Sequence, residues 1–192
     1  MKILIACEFS GIVREAFKKR GHDAWSCDLL DTEIPGQHIK GDVLEILNNG
    51  WDLMIAHPPC TYLANSGVRW FFDKDINKRR DRMVALRNAI MDFADLLNAP
   101  IEKIVMENPI QHKYAREYIR KYDQIIQPWQ FGHGETKATC LWLKNLQKLE
   151  PTKIVNGRQP RVHHESPGPD RWKNRSRTYT GIAKAMAEQW SN

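Results

Sequence analysis

Short apolar runs recur along the chain at intervals that suit the strands of a sheet. The clearest are residues 2–7, 24–28, 104–106 and Leu53–Ala56. Runs of this length, bounded by turn-forming or charged residues, are typical of buried strands. Helical patterns and loops separate them. This βα alternation predicts an α/β fold with a mostly parallel sheet and helices on both faces.

Apolar side chains recur at intervals of three and four in four segments: 12–17, 78–98, 112–122 and 182–190. Gly21 follows the first segment and suits the residue just beyond a helix end. The last helix is expected to pack back on the sheet. Residues 125–126 and 139–143 predict later strands, and we expect the second of these in a hairpin at the sheet edge.

The stretch WDLMIAHPPCTYLANSG, residues 51–67, is the most informative part of the chain. Pro58 and Pro59 must end the preceding strand because proline fixes φ and lacks a backbone donor. Cys60 then stands at the carboxyl end of the strand, which is where ligands bind in open α/β sheets. A thiol there is a candidate nucleophile. The alternative is a small buried side chain, which is common for free cysteine.

A carboxylate marks the end of the next predicted strand. Glu107-Asn108-Pro109 follows residues 104–106, and this strand is expected to lie parallel to the Cys60 strand. Cys60 and Glu107 can therefore converge on one small ring. We expect the thiol to need a lowered pKa or a base, and the carboxyl group to be protonated when required.

These two groups suit methylation of a cytosine ring. Sulfur that adds to carbon-6, while a protonated carboxyl group supports ring nitrogen 3, makes carbon-5 nucleophilic. Carbon-5 can then take a methyl group from a sulfonium donor, and loss of its proton expels the thiol.

The first strand, turn, helix and second strand predict a nucleotide-binding half-sheet. Phe9-Ser10-Gly11 forms the turn, and Asp28 ends the second strand, where an acid binds ribose hydroxyls. The turn has one glycine rather than the three of a dinucleotide-binding loop, which favours a nucleoside cofactor without a pyrophosphate. Asp42 lies in a similar position before a short helix. An ordinary α/β domain with an acid at a strand end remains the alternative.

Length and composition indicate one catalytic domain over residues 1–192. No apolar stretch approaches the length of a membrane span, and the N-terminal residues suit a strand rather than a signal peptide. The four cysteines contain no CxxC pair, so we expect reduced thiols in a cytoplasmic protein and no metal. A net charge of +6 is compatible with a polyanionic partner.

Residues 151–178 form a basic segment rich in proline and glycine. Seven lysines and arginines face two acids: Lys153, Arg158, Arg161, Arg171, Lys173, Arg175 and Arg177 against Glu165 and Asp170. Interleaved aromatic and histidine side chains suit phosphate contact with base stacking. A solvated linker is the alternative.

The order of the motifs along the chain resembles that of the DNA (cytosine-5) methyltransferases. Phe9-Ser10-Gly11 stands where that family has F-x-G-x-G, Pro59-Cys60 matches its catalytic P-C pair, and Glu107-Asn108-Pro109 matches its ENV motif. Residues 179–186 resemble its closing motif. The chain also resembles the minimal methylase-like proteins of bacteriophages and prophages, because no large target-recognition domain fits after Lys137.

The resemblance implies a class I, Rossmann-like methyltransferase fold, S-adenosylmethionine as cofactor, and DNA with a flipped target base as substrate. Cys60 would be the nucleophile and Glu107 the ring-nitrogen contact. The implied cofactor-binding residues are Phe9, Ser10, Gly11, Asp28, Asp42 and Pro58. The implied substrate-binding residues are Asn65, Ser66, Arg69, Lys137, Thr139, Arg171, Lys173 and Arg175. Val13 and Thr61 depart from the family pattern, and Lys137 stands for an arginine.

Two other functions remain open at this point. His57-Pro58-Pro59-Cys60 also resembles the D/N/S-P-P-aromatic motif of enzymes that methylate exocyclic amines, although His57 and Cys60 both depart from it. The missing recognition domain allows a third function, a degenerate methylase fold that binds nucleic acid without catalysis. A free cytosine nucleotide as substrate is compatible with the first chemistry.

Overall fold

The computed structural model describes residues 1–191. Across these residues the strands form one seven-stranded sheet in the order β3-β2-β1-β4-β5-β7-β6. The strands are β1 Lys2–Ala6, β2 Asp23–Asp28, β3 His38–Lys40, β4 Leu53–Ala56, β5 Lys103–Pro109, β6 Gln124–Ile126 and β7 Thr139–Lys144. The helices are α1 Ile12–Lys18, α2 Ile76–Leu97, α3 Lys113–Arg116, α4 Arg171–Ser176 and α5 Thr180–Gln189.

The sheet is parallel except for β7. Strands β1 to β5 pair in parallel, whereas β7 runs antiparallel to both β5 and β6. This order, with a reversed strand inserted beside β5, is the sheet of Rossmann-like class I methyltransferases. The predicted fold class is therefore confirmed. The reversal of chain order falls between β1 and β4, so the crevice beyond their carboxyl ends is the expected ligand site.

Two apolar clusters cover the two faces of the sheet. On one face, α1 and α5 pack together over Ile3, Ile5 and Ile55. On the other face, α2 covers Leu4 and Met54. The alternating sides of β1 and β4 are thus both buried, as expected for a parallel sheet between helical layers. No helix among residues 1–191 is long and apolar enough to cross a membrane.

One local prediction was wrong and two were confirmed. The helix predicted over residues 112–122 is only the short α3, because the carbonyl oxygen of Arg120 accepts a hydrogen bond from Trp142 Nε1 and Asp123 N–H donates to Leu141. These contacts use backbone groups in a way that a continuing helix does not allow. Strands β6 and β7 pair in antiparallel fashion at the edge of the sheet, in line with the predicted hairpin, and β6 is the outermost strand. The ENP motif ends β5, as predicted, and Pro109 pairs with Thr139.

The basic segment 151–178 has little regular structure, as predicted, apart from α4. The bidentate ion pair of Arg177 with Glu33, at 2.6 and 2.9 Å, holds the end of α4 against the loop after β2. Trp172 contacts Phe9, with ring centroids 5.8 Å apart. The segment therefore folds back over the carboxyl edge of the sheet.

Gly181, in the first turn of α5, gives a test of how tightly this helix docks. A Cβ atom there would lie 1.9 Å from the carbonyl oxygen of Phe131, a backbone atom that cannot move cheaply. We expect Gly181→Ala to lower the free energy of unfolding by about 1–3 kcal/mol in urea titrations. In Gly168→Ala, the control, the added Cβ atom meets nothing within 4 Å. Equal stability of the two variants would contradict this packing.

Candidate active site

A cavity of about 120 Å³ lies where β1, β4 and β5 end. Each strand contributes the residues that follow it or that close it. The lining comprises Cys7, Glu8, Phe9, Ser10, His57, Pro58, Pro59, Cys60, Glu107, Asn108, Pro109, Lys137, Arg175, Ser176, Arg177 and Thr178. The cavity therefore brings together the two predicted catalytic residues, three of the predicted cofactor-binding residues, and Lys137 and Arg175 of the predicted substrate-binding set.

The loop that carries Cys60 is held at both ends. The Cys60 carbonyl oxygen accepts hydrogen bonds from the backbone of Leu63 and Ala64, which makes a tight turn after the two prolines. Arg82 of α2 donates to the carbonyl oxygens of Thr61 and Gly67, at 2.8 and 3.2 Å. The thiol is partly buried at the rim of the cavity. A fixed turn thus presents the sulfur toward the carboxyl edge of β4 and β5.

Glu107 is a buried carboxylate with three polar neighbours. Its side chain is 13% exposed, and Oε2 lies 2.9 Å from Nδ1 of His57. Burial raises the pKa of Glu107, but the hydrogen bond from His57, the charge of Lys137 and the Thr139 hydroxyl outweigh it, so the pKa is lowered overall. The carboxylate is therefore ionised at neutral pH. The protonated carboxyl group that the chemistry requires has to arise during the reaction.

The Cys60 thiol has the opposite shift. Burial, followed by the negative charge of Glu107, raises its pKa, whereas Lys137 and Arg175 act in the lowering direction. The thiol is therefore protonated at neutral pH. Of the two ways to activate it that the sequence suggests, a lowered pKa is absent. A nucleophilic role for this thiol would therefore require a base.

Asn108 links β4 to β5 beside the site. Its Nδ2 donates to the carbonyl oxygen of Pro58 at 2.8 Å, which fixes the first proline of the turn. Two buried polar atoms of the lining, Asn108 Oδ1 and His57 Nε2, have no hydrogen-bond partner among residues 1–191. Buried polar atoms are normally satisfied. An unpartnered polar atom in a cavity can bind a ligand or take part in proton transfer.

The start of α1 is occupied by a carboxylate of the chain itself. Glu8 accepts hydrogen bonds from the backbone of Val13 and Arg14 at 2.7 and 3.2 Å, and from the Ser10 hydroxyl at 3.1 Å. Gly11 has φ 73°, the left-handed conformation that glycine allows at no steric cost. The helix N-terminus is therefore not free for a pyrophosphate, in line with the single-glycine turn. Sequence reasoning missed Glu8.

Three acids lie around Cys7, immediately beyond β1. Burial, followed by the charges of Asp28, Cys27, Asp42 and Asp92, raises the pKa of Cys7 to about 12. Asp28 and Asp42 do not line the cavity. Their charges act on Cys7, which does. Each also fixes its own loop, since Asp28 Oδ1 accepts from Leu30 N–H and Asp42 Oδ1 from Leu44 N–H, both at 3.0 Å. Asp92 was not singled out from the sequence.

Several predicted substrate-binding residues lie outside the cavity. Asn65, Ser66 and Arg69 are exposed on the 3₁₀ segment Asn65–Phe72, where Arg69 stacks on Trp70 at 4.8 Å. Arg171 and Lys173 lie on α4, and Lys173 forms an ion pair with Asp170 at 3.7 Å. None of these five side chains lines the cavity.

Thr139, the first residue of β7, pairs with Pro109, and its hydroxyl donates to the carbonyl oxygen of Lys137 at 3.1 Å. It also acts to lower the pKa of the nearby Glu107. Within the described part of the chain, no group of three or more histidine, cysteine or acidic side chains is arranged to hold a metal ion.

Comparison with known proteins supports the fold. No protein-family model matches the sequence. No curated protein matches it significantly. Among solved structures, the chain is similar to a candidate DNA modification methyltransferase encoded within a prophage of E. coli, with 15% identity and a TM-score of 0.50 over 80% of this chain. The chain spans about half of that protein, 51% of its length.

Lys137 provides a test of the electrostatics around the thiol. Its positive charge acts to lower the pKa of Cys60, so Lys137→Met should raise that pKa and reduce the thiolate fraction at neutral pH. Because one pKa unit is a tenfold change, we expect alkylation of Cys60 by iodoacetamide at pH 7.5 to slow by about 3–10-fold. Exposed Lys148→Met is the control. An unchanged rate in Lys137→Met would contradict the arrangement.

Proposed function

We propose that the chain is an S-adenosylmethionine-dependent DNA methyltransferase that transfers a methyl group to carbon-5 of cytosine. The observation that carries this proposal is the presence of Cys60 and Glu107 in one cavity, at the carboxyl edge of a class I methyltransferase sheet. A thiol and a carboxylate so placed suit addition to a pyrimidine ring. The similar prophage protein bears the name of a DNA modification methyltransferase, which supports DNA as the substrate class.

The residues beside β1 and β2 fit the cofactor. A concentration of negative charge around Cys7 favours a ligand that carries a sulfonium and an amino group. Asp28 would accept from the ribose hydroxyls and Asp42 from the adenine amine, while Phe9 and Pro58 offer apolar surface at the rim. When bound, this cofactor supplies an electrophilic methyl group. Ser10 and Gly11 shape the turn rather than bind an anion, because Glu8 already satisfies the helix N-terminus.

Cys60 and Glu107 have different roles in the proposed reaction at the cytosine ring. The Cys60 thiol gives its proton to a base of the cavity, and the sulfur forms a bond to carbon-6. The displaced electron pair moves toward ring nitrogen 3, which takes up a proton that Glu107 first accepts from the Nδ1–H of His57. Carbon-5 then carries the nucleophilic electron pair. After methylation, the carbon-5 proton passes to water, its electron pair restores the double bond between carbon-5 and carbon-6, and the sulfur leaves as the Cys60 thiolate. Lys137 stabilises negative charge on both groups during these steps.

The basic segment provides a DNA-binding surface in this proposal. Arg175 lines the cavity, and Arg171 and Lys173 lie on the same short helix, α4. Cationic side chains around a pocket suit the phosphates that flank a flipped nucleotide. Asn65, Ser66 and Arg69 would contact DNA from the opposite side, next to the nucleophile loop. Few base-reading side chains are available in this arrangement, so we expect a short or relaxed target sequence.

Methyl transfer from labelled cofactor to cytosine-containing DNA tests the proposal. We expect Cys60→Ala to abolish transfer, by at least roughly three orders of magnitude, because the proposed adduct forms on the Cys60 sulfur. Cys27→Ala, which removes a thiol buried in the core, is the matched control and should retain transfer. Transfer that persists undiminished in Cys60→Ala would exclude the mechanism.

Glu107→Gln tests the second residue. The amide keeps nearly the same shape but cannot pass a proton to ring nitrogen 3, so we expect kcat to fall by about 10²–10⁴-fold. The Kd for DNA, measured by fluorescence anisotropy, should change little. Full activity in this variant would remove Glu107 from the reaction.

Mass spectrometry of the digested product gives the position of the methyl group. A methyl group on carbon-5 supports the proposal, and one on an exocyclic nitrogen overturns it in favour of amine methylation. Two contacts disfavour amine methylation, because they occupy groups of the His57-Pro58-Pro59-Cys60 segment. The Pro58 carbonyl oxygen accepts a hydrogen bond from Asn108, and the His57 ring is hydrogen-bonded to Glu107. DNA binding without any transfer would instead indicate a binding protein.

A further inference from the structure

The thiol of Cys60 must lose its proton before it can attack, and the cavity offers few acceptors. The carboxylate of Glu8 already accepts hydrogen bonds from the backbone of Val13 and Arg14 and from the Ser10 hydroxyl. Lys137 and Arg175 are cations. Asn108 Oδ1 is unpartnered but is not basic. His57 and Glu107 are the remaining groups of the lining that can take up a proton, and they form a pair.

The His57 ring is oriented by Glu107. Nδ1 lies 2.9 Å from Glu107 Oε2, and because a carboxylate only accepts, this nitrogen carries the hydrogen. In the neutral ring, Nε2 is then a free acceptor. Nε2 is buried and has no partner within residues 1–191, and the His57 side chain is only 9% exposed. The ring is thus held on one side by a carboxylate, while its basic nitrogen is left unused.

A nucleophile activated by a base, which is itself oriented by a third group, is a recurring catalytic arrangement. Here the nucleophile and the base line the same cavity and are joined by two prolines, Pro58 and Pro59, which leave the connecting backbone little freedom. Cys60 Sγ does not hydrogen-bond to His57 Nε2 in the structure, so proton transfer requires the thiol to turn toward the ring. The spacing His57-Pro-Pro-Cys60 therefore serves the nucleophile as well as ending the strand.

We propose that His57 is the general base that activates Cys60, with Glu107 as the group that orients it. The proton leaves Sγ as the S–H bond breaks, and a new N–H bond forms at Nε2 of His57. The resulting imidazolium donates through Nδ1–H to the carboxylate of Glu107. The electron pair left on sulfur forms the bond to carbon-6 of the cytosine. Glu107 Oε1 remains available to the base ring. This inference rests on the proposed role of Cys60 as nucleophile.

The proposal predicts how the reactivity of Cys60 depends on pH. The charged and titratable side chains that face this cavity, besides His57 and Cys60, are Cys7, Glu8, Glu107, Lys137, Arg175 and Arg177. Of these, Glu107 raises the pKa of Cys60, after burial, and Lys137 and Arg175 lower it. All of them are retained in a His57→Gln variant. A change in reactivity in that variant therefore reports on His57 itself.

The test is alkylation of Cys60 by iodoacetamide across pH 5.5–10, followed by peptide mass spectrometry of the native protein without DNA or cofactor. In His57→Gln the side-chain amide can still donate to Glu107 but cannot accept the thiol proton. We expect its alkylation rate at pH 7 to fall by about tenfold or more, with the pH profile displaced to higher pH. His163→Gln, in the exposed loop, is the control and should match the natural protein.

A second variant distinguishes loss of the base from misfolding. His57→Ala leaves space beside Glu107, and imidazole added to the buffer should accelerate alkylation of Cys60 in this variant more than in the natural protein. A His57→Gln profile that superimposes on that of the natural protein, or a His57→Ala variant that does not respond to imidazole, would overturn the role of His57.

These outcomes are separable from those of the proposed function. The alkylation assay contains neither DNA nor a methyl donor, so a failure of methyl transfer would not alter it. If transfer to carbon-5 occurs and the alkylation profile does not depend on His57, then the proposed function stands and this inference fails. If the profile depends on His57 but no methyl group is transferred, the base is present and the proposed substrate is wrong.

Discussion

The site depends on a buried carboxylate that stays charged. Isolated burial of a charge is costly, and a carboxyl group would normally take up a proton instead. At Glu107 that cost is offset by a hydrogen bond from His57, the nearby charge of Lys137 and the hydroxyl of Thr139. These partners come from the end of β4 and from the segment that leads into β7. The charge state of one side chain thus depends on the register of three neighbouring strands.

The antiparallel direction of β7 brings two of these partners to Glu107. Because β7 runs against β5, its first residue, Thr139, lies opposite Pro109 at the carboxyl end of β5. The preceding residues, including Lys137, then reach the cavity rather than the far end of the sheet. Burial and the charge of Glu107 keep Cys60 protonated in the free protein, since both raise the pKa of its thiol. Addition of the thiol to a ring therefore requires a proton to leave sulfur and another to reach the ring.

Much of this arrangement could be predicted from the sequence, because strand ends are marked by local residues. Pro58 and Pro59 located the end of β4, and the carboxylate of Glu107 marked the neighbouring strand. The contact of Glu107 with His57 could not be predicted, since it joins residues 50 positions apart. The same holds for the capping of α1 by Glu8 and for the ion pair of Arg177 with Glu33, which spans 144 positions. Helix α3 ended early because of partners in β7 that periodicity does not reveal.

The central claim is that Cys60 forms a covalent bond to carbon-6 of cytosine, and a substrate that cannot complete the reaction tests it most directly. In DNA that carries 5-fluorocytosine, carbon-5 accepts the methyl group but has no proton to lose, so the thiol cannot be expelled. With cofactor present, intact mass spectrometry should show the chain joined to the oligonucleotide plus one methyl group, and the link should map to Cys60. Methylation of ordinary cytosine without any adduct on the fluorinated DNA would contradict the account.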